Sequence, residues 1–139
     1  MPRKKKPAHQ DFESINEHGR FMKLTINMLE SRAWQALSVY EQAVYTSIKA
    51  KYKGFNRSGQ DNSRDLSFTY QEGRQLMSPE RFTKAIDRLI EAGFVDIVEH
   101  LPQARRPTIY GLSSRWHDYG KPEFEEQKRT RLKREKKGE

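Results

Sequence analysis

The chain has 139 residues and a formal net charge of +8, with 27 Lys and Arg against 19 Asp and Glu, and only 34% of its residues are hydrophobic. That length allows one domain with tails and hardly two, and no apolar run is long enough to span a bilayer. The absence of cysteine excludes disulfides, thiolate metal sites and a thiol nucleophile, while the basic balance makes DNA, RNA or another acidic surface the natural partner.

Residues 1–20 carry Pro2, Pro7 and five basic against three acidic side chains. Few of them are apolar, so they are expected to form a disordered basic tail. No apolar stretch follows Arg3-Lys4-Lys5-Lys6, so this is not a secretory signal, and a cytoplasmic location is expected. From Phe21 to Met28 the chain alternates, with Met22, Leu24, Ile26 and Met28 on one side, which predicts a short strand or extended segment. A helical turn burying Trp34 and Leu37 comes next.

Ser38-Val39-Tyr40-Glu41 is a capping-box pattern and predicts the start of a long helix. Its apolar stripe is expected to be Ala36, Tyr40, Val44 and Ile48, with Val39 and Ala43 beside it. Gly54 is expected to cap its end just after Lys53. Lys49, Lys51 and Lys53 complement the dipole there, and capping alone can explain them. The stretch 54–65 is rich in Gly, Ser, Asn and Asp and reads as an exposed loop. A short strand, Leu66-Ser67-Phe68, follows. Thr69-Tyr70-Gln71-Glu72 repeats the capping box and opens a short helix through Leu76. Ser78-Pro79-Glu80 starts another, with Ser as cap and Pro where no donor is lost. In that helix Phe82, Ile86, Leu89 and Ile90 share one face, and Gly93 stops it. The runs 94–98 and 108–112 predict an antiparallel hairpin around a loop holding Arg105 and Arg106. Residues 121–139 are acidic first and basic later, with seven basic residues against Glu135 alone over 128–137. That order predicts a solvated, frayed helix or a basic tail.

A helix of about two turns followed almost at once by another is the helix-turn-helix order, and a hairpin after it adds a wing. On Ser67-Phe68-Thr69-Tyr70, on Ser78-Pro79-Glu80-Arg81-Phe82 and above all on Leu89-Ile90-Glu91-Ala92-Gly93-Phe94-Val95, the chain resembles the winged-helix proteins of bacteria. The flanking runs 28–38 and 112–116 resemble a narrower set: small winged-helix proteins of phages, plasmids and integrated mobile elements, some similar to replication-initiator N-terminal domains. The resemblance covers about residues 21–120. Met77 departs from it, because such turns often hold glycine. It implies an α+β, mostly helical fold, with a three-helix core, a β-hairpin wing and basic terminal extensions at 1–20 and 121–139. It also implies a non-enzymatic double-stranded-DNA-binding protein of the nucleoid or of plasmid or phage DNA, acting as a regulator or a replication or maintenance factor.

On that fold the helix 79–92 enters the major groove by its N-terminal part. This selects Ser78, Arg81, Thr83 and Lys84, with Arg88 a turn further. Arg81 is the expected base contact, because a guanidinium pairs bidentately with guanine. A solvated helix face offers the competing explanation. Of its i,i+4 pairs Glu80–Lys84, Lys84–Arg88 and Asp87–Glu91, only the first is attractive. Arg105 and Arg106 would lie on phosphates or in a minor groove. Tyr70 and Gln71 open the second helix, where backbone donors suit a phosphate, although simple packing of Tyr70 explains it equally well.

No catalytic constellation is legible. His9, His18, His100 and His117 show no metal-ligand spacing, and neither a nucleophile elbow nor a phosphate loop occurs. No cofactor or metal is expected. Trp34, Trp116, Tyr40 and Phe82 read as core or core-edge residues. Two other functions stay open: a winged-helix adaptor docking to replication or transcription proteins, and RNA binding. Homodimerisation also stays open.

Overall fold

The computed structural model describes residues 21–100 and 107–128. Over these residues the chain is α+β, with five α-helices and a three-stranded antiparallel sheet. Residues 21–25 are irregular, and where the alternation predicted that a short strand or extended segment would run on to Met28, α1 (Ile26–Glu30) forms. Thr25 decides this locally. Its hydroxyl oxygen accepts a bond from Met28 N at 3.3 Å and so caps a helix start. Met28 is buried while Ile26 is exposed, so the alternating residues do not share a face. Ser31 joins α1 to α2 (Arg32–Gln35), accepting from Trp34 N and donating to Met28 O.

The long helix α3 spans Val39–Lys49. Ser38 caps it by accepting from Tyr40 N at 3.3 Å, and its hydroxyl donates to the Glu41 carboxylate, so the expected reciprocal box is absent. The buried stripe is Glu41, Val44, Tyr45 and Ile48. Ala36, Val39 and Ala43 are exposed and Tyr40 is half-buried, so the stripe lies about one residue round from the predicted one. Tyr45 makes the difference, because its ring meets Trp34 and Phe94 edge to face. The helix also stops short of Gly54. Beyond Ala50 the backbone is taken by Asn62, whose amide donates to Lys51 O and accepts from Lys53 N, each at 2.8 Å. Lys51 is more than a helix-end cation. Its ammonium reaches the Glu72 carboxylate at 2.5 Å and Ser67 O at 2.6 Å, clamping the end of α3 to the segment that follows the loop.

After the loop come β1 (Leu66–Ser67) and α4 (Tyr70–Arg74). The capping box at Thr69 forms in full, with Glu72 N donating to Thr69 Oγ1 and Thr69 N donating to Glu72 Oε1, both at 3.2 Å. α4 is shorter than predicted and passes through a turn to α5 (Pro79–Ala92). Met77 in this turn is partly buried against the core, which explains an apolar residue there. The glycine of the helix pair lies earlier, at Gly73. A β-carbon on Gly73 would lie 2.5 Å from Phe82 Cγ, so the two helices cross at ring-to-backbone contact. Gly73→Ala should therefore cost about 1–3 kcal/mol through overpacking. A urea titration reads this directly, and a neutral variant would mean that the helices do not cross at Gly73.

α5 ends at Gly93, whose φ of 89° is left-handed. β2 (Val95–Glu99) and β3 (Ile109–Leu112) then pair antiparallel, with Val95 opposite Leu112 and Ile97 opposite Tyr110. β1 joins the other side of β3, giving the order β1-β3-β2. Phe94 is fully buried at the centre of the core. It meets Trp34, Tyr45 and Trp116 at ring-centroid distances of 5.5, 5.6 and 5.9 Å.

The chain past β3 makes a 3-10 turn (Arg115–Asp118) and then runs beside β2 without a helix as far as residue 128. Gln127 Oε1 accepts from Ile97 N at 2.8 Å, so a side chain satisfies a donor on the edge of β2. Arg115 holds this segment down with bonds to Asp96 Oδ1, Ile90 O, Val95 O and Glu125 O, between 2.7 and 3.0 Å. Among the described residues no helix is long and apolar enough to cross a membrane.

Candidate nucleic-acid interface

The first turn of α5 is set by local chemistry. Ser78 Oγ accepts from Arg81 N at 3.4 Å, and Pro79 occupies a position where its missing N–H costs nothing. The apolar spacing then turns Phe82, Ala85, Ile86, Leu89, Ile90 and Ala92 inward. Glu80, Arg81, Lys84 and Glu91 are left exposed, and Thr83, Asp87 and Arg88 half-buried. Arg81, Lys84 and Arg88 recur at three and four residues, so they form one cationic stripe along the helix. The stripe borders the first turn of α3, and Ser38, Tyr40, Glu41, Arg81, Lys84 and Arg88 line a shallow crevice of about 250 Å³.

Three of these cations have different commitments. Arg88 lies 3.8 Å from Glu91, an exposed pair of little energetic weight. The guanidinium of Arg81 sits over the Tyr40 ring, 4.3 Å from its centroid. Lys84 makes no ion pair among the described residues, and the attractive Glu80–Lys84 pair of the solvated-face explanation does not form there. Arg81 and Lys84 are thus left without an ion pair on their own helix, whereas Arg88 is paired with Glu91.

The predicted site residues Ser78, Arg81, Thr83, Lys84 and Arg88 all lie on α5 or at its cap. Tyr70 is largely exposed, and its ring meets Phe82 edge to face at 5.7 Å, so packing engages at least part of it. Gln71 is exposed. Beside them, burial acts to raise the Glu72 carboxyl, but hydrogen bonds from Lys51 and Thr69 outweigh it and hold it below its ordinary value. The start of α4 therefore already carries an anion of its own. Arg105 and Arg106 lie outside the described residues, in the connection between β2 and β3.

Two cations on the sheet were not legible as partners. Asp96, in the middle of β2, accepts from Arg64 at 2.8 Å and from Arg115 at 2.7 Å. The Arg64 guanidinium lies over Gly111, where a β-carbon would meet it at 2.7 Å. Tyr40 was legible only as a core-edge residue. Nothing in the local sequence signals its contact with Arg81, because the two meet only when α3 packs on α5. The histidines within the described residues have structural partners: His100 Nδ1 meets Thr108 Oγ1 at 2.6 Å, and His117 stacks on Trp116. Among the described residues no cluster of His, Asp and Glu could hold a metal ion. No family model, no curated protein and no solved structure matches this chain.

Proposed function

We propose that the protein is a winged-helix, non-enzymatic double-stranded-DNA-binding protein. In this proposal α5 lies in the major groove, and the β2–β3 connection with Arg105 and Arg106 lies along the backbone or minor groove. The observation that carries it is the cationic stripe on α5, where the side chains of Arg81 and Lys84 are exposed and make no ion pair among the described residues. They face outward from a helix whose other side is anchored by six buried residues, and a rigid support of that kind is what a groove-reading element needs. The element order, with a short helix before α5 and an antiparallel hairpin after it, supports the same fold. The resemblance to mobile-element proteins gives the biological setting, in which the protein acts as a regulator or a replication or maintenance factor of a phage, plasmid or related element.

Titration of a labelled duplex at several salt concentrations tests this. Each neutralised phosphate releases counterion, so log K should fall linearly with log salt, at a slope of about −0.9 per phosphate contact. The triple variant Arg81→Ala, Lys84→Ala, Arg88→Ala should bind more weakly and show a shallower slope. Wild-type binding indifferent to salt, or a triple variant that binds like wild type, would sink the assignment. Preference for RNA over the duplex, or capture of a protein partner that survives nuclease treatment, would favour one of the other two functions instead.

A further inference from the structure

We propose that Tyr40 is a specificity-determining positioning residue, which holds the Arg81 guanidinium in the α3–α5 crevice ready to read a guanine. The inference rests on the DNA-binding function proposed above and adds a residue from another helix to its reading head. The motivating geometry is the guanidinium over the Tyr40 ring at 4.3 Å, inside the usual range for a cation–π contact. The other contacts of Arg81 matter as much. Among the described residues its side chain makes no ion pair and no hydrogen bond, and it is the Arg81 backbone N–H, not the guanidinium, that bonds Ser78 Oγ. A guanidinium stacked on a ring uses its face and keeps its in-plane N–H edge for hydrogen bonds. The ring therefore restrains the long side chain without consuming the donors that would pair with guanine O6 and N7.

The platform is itself fixed. Tyr40 is in the first turn of α3, its backbone N–H bonded to Ser38 Oγ at 3.3 Å, and its ring is half-buried against the core. An unrestrained arginine loses side-chain entropy when it docks, up to about 2 kcal/mol for its full rotamer freedom. An arginine already leaning on a ring has less to lose. Lys84 has no such support, so it is assigned to the backbone rather than to a base. The crevice thus divides the stripe: Arg81 reads and Lys84 holds.

The test uses the full chain and a duplex recovered by selection from a random pool, compared with duplexes carrying single G-to-A changes. Wild type and Tyr40→Phe should discriminate alike, because both rings offer a π-face. Tyr40→Leu should lose about three- to fivefold of the discrimination at the guanine read by Arg81, with the salt slope unchanged. Arg81→Lys should lose discrimination at that same base and likewise keep its slope. A purely structural Tyr40 would instead lower affinity for every duplex equally in step with its melting temperature, and that result overturns the inference. An independent readout comes from the free protein. The Arg81 side-chain protons should show a ring-current upfield shift by NMR, and random-coil shifts there overturn the inference even if Tyr40→Leu fails to fold. If Arg81→Ala relaxes base preference while Tyr40→Leu does not, the positioning role alone fails. If wild type shows no salt-dependent duplex binding, the DNA-binding function fails with it.

Discussion

Phe94→Ala should destabilise the domain by about 3–5 kcal/mol, the range for removing a buried aromatic ring. The upper half of that range is expected, because this ring joins four separate segments. Trp34 comes from α2, Tyr45 from α3 and Trp116 from the turn after β3, and all three rings rest on Phe94. Its backbone is also engaged, with Phe94 N donating to Leu89 O and Phe94 O accepting from Ser113 N, each at 3.0 Å. Alanine leaves a void that these large rings cannot fill without disturbing their packing, including the edge-to-face contact of Trp34 with Tyr45. A small domain holds about 5–15 kcal/mol in total, so the variant should lose a large part of its stability. Urea unfolding followed by tryptophan fluorescence suits this measurement, since Trp34 and Trp116 both touch the deleted ring. Phe94→Leu, which refills most of the volume, should cost much less. A loss below about 1 kcal/mol for the alanine variant would show that the core is organised around some other residue.

Arg115→Ala should cost a comparable 3–5 kcal/mol, by a different mechanism. The Arg115 side chain is only 12% exposed and Asp96 only 15%. Removing one partner of such a pair leaves a poorly solvated charge with fewer partners, and that penalty exceeds the net worth of the pair itself. Arg64 still reaches Asp96, which limits the loss, but the carbonyls of Ile90, Val95 and Glu125 each lose the guanidinium as donor. Lysine should not restore the wild type, because one ammonium cannot span the fork that joins α5, β2 and the segment after β3.

The same residue should set how the protein responds to acid. Burial acts to raise the Asp96 carboxyl, but hydrogen bonds from Arg64, Arg115 and Ser113 prevail and hold it below its ordinary value. A carboxyl lower in the folded than in the unfolded chain adds stability that is fully present above the unfolded value, about 4. That stability disappears as pH falls through the depressed folded value. Wild type should therefore lose stability below about pH 4, and Arg115→Ala should lose less over the same window, since its Asp96 is less depressed. Parallel acid profiles for the two proteins would show that the Arg115–Asp96 contact does not control this titration.

What could be read from the sequence were the features made by neighbours along the chain. Thr69 with Glu72, Ser78 with Pro79, and Gly93 each act within one turn of helix, so the start of α4 and both ends of α5 lie where the residues placed them. The spacing of Phe82, Ile86, Leu89 and Ile90 identified the buried side of α5, and with it the stripe of Arg81, Lys84 and Arg88. The alternation at 22–28 misled because four residues of period two also fit an irregular lead-in and one helical turn, and Thr25 tipped the choice. The stripe of α3 was displaced because apolar periodicity counts Val39 and Ala43 as core candidates. What is buried depends on which neighbours arrive, and here Tyr45 faces Trp34 and Phe94 while Glu41 goes under.

The amino-acid order alone determined the caps at Thr69, Ser78 and Gly93, the inward face of α5, the hairpin and the excess of positive charge, since each follows from backbone bonding or side-chain period over a few residues. Tertiary packing decided that Lys51 grips Glu72, that Arg115 ties the segment after β3 to Asp96, and that Tyr40 lies beneath Arg81. Those contacts join residues far apart in the chain. Their energies depend on distance and desolvation in three dimensions, which no local pattern of residue types encodes.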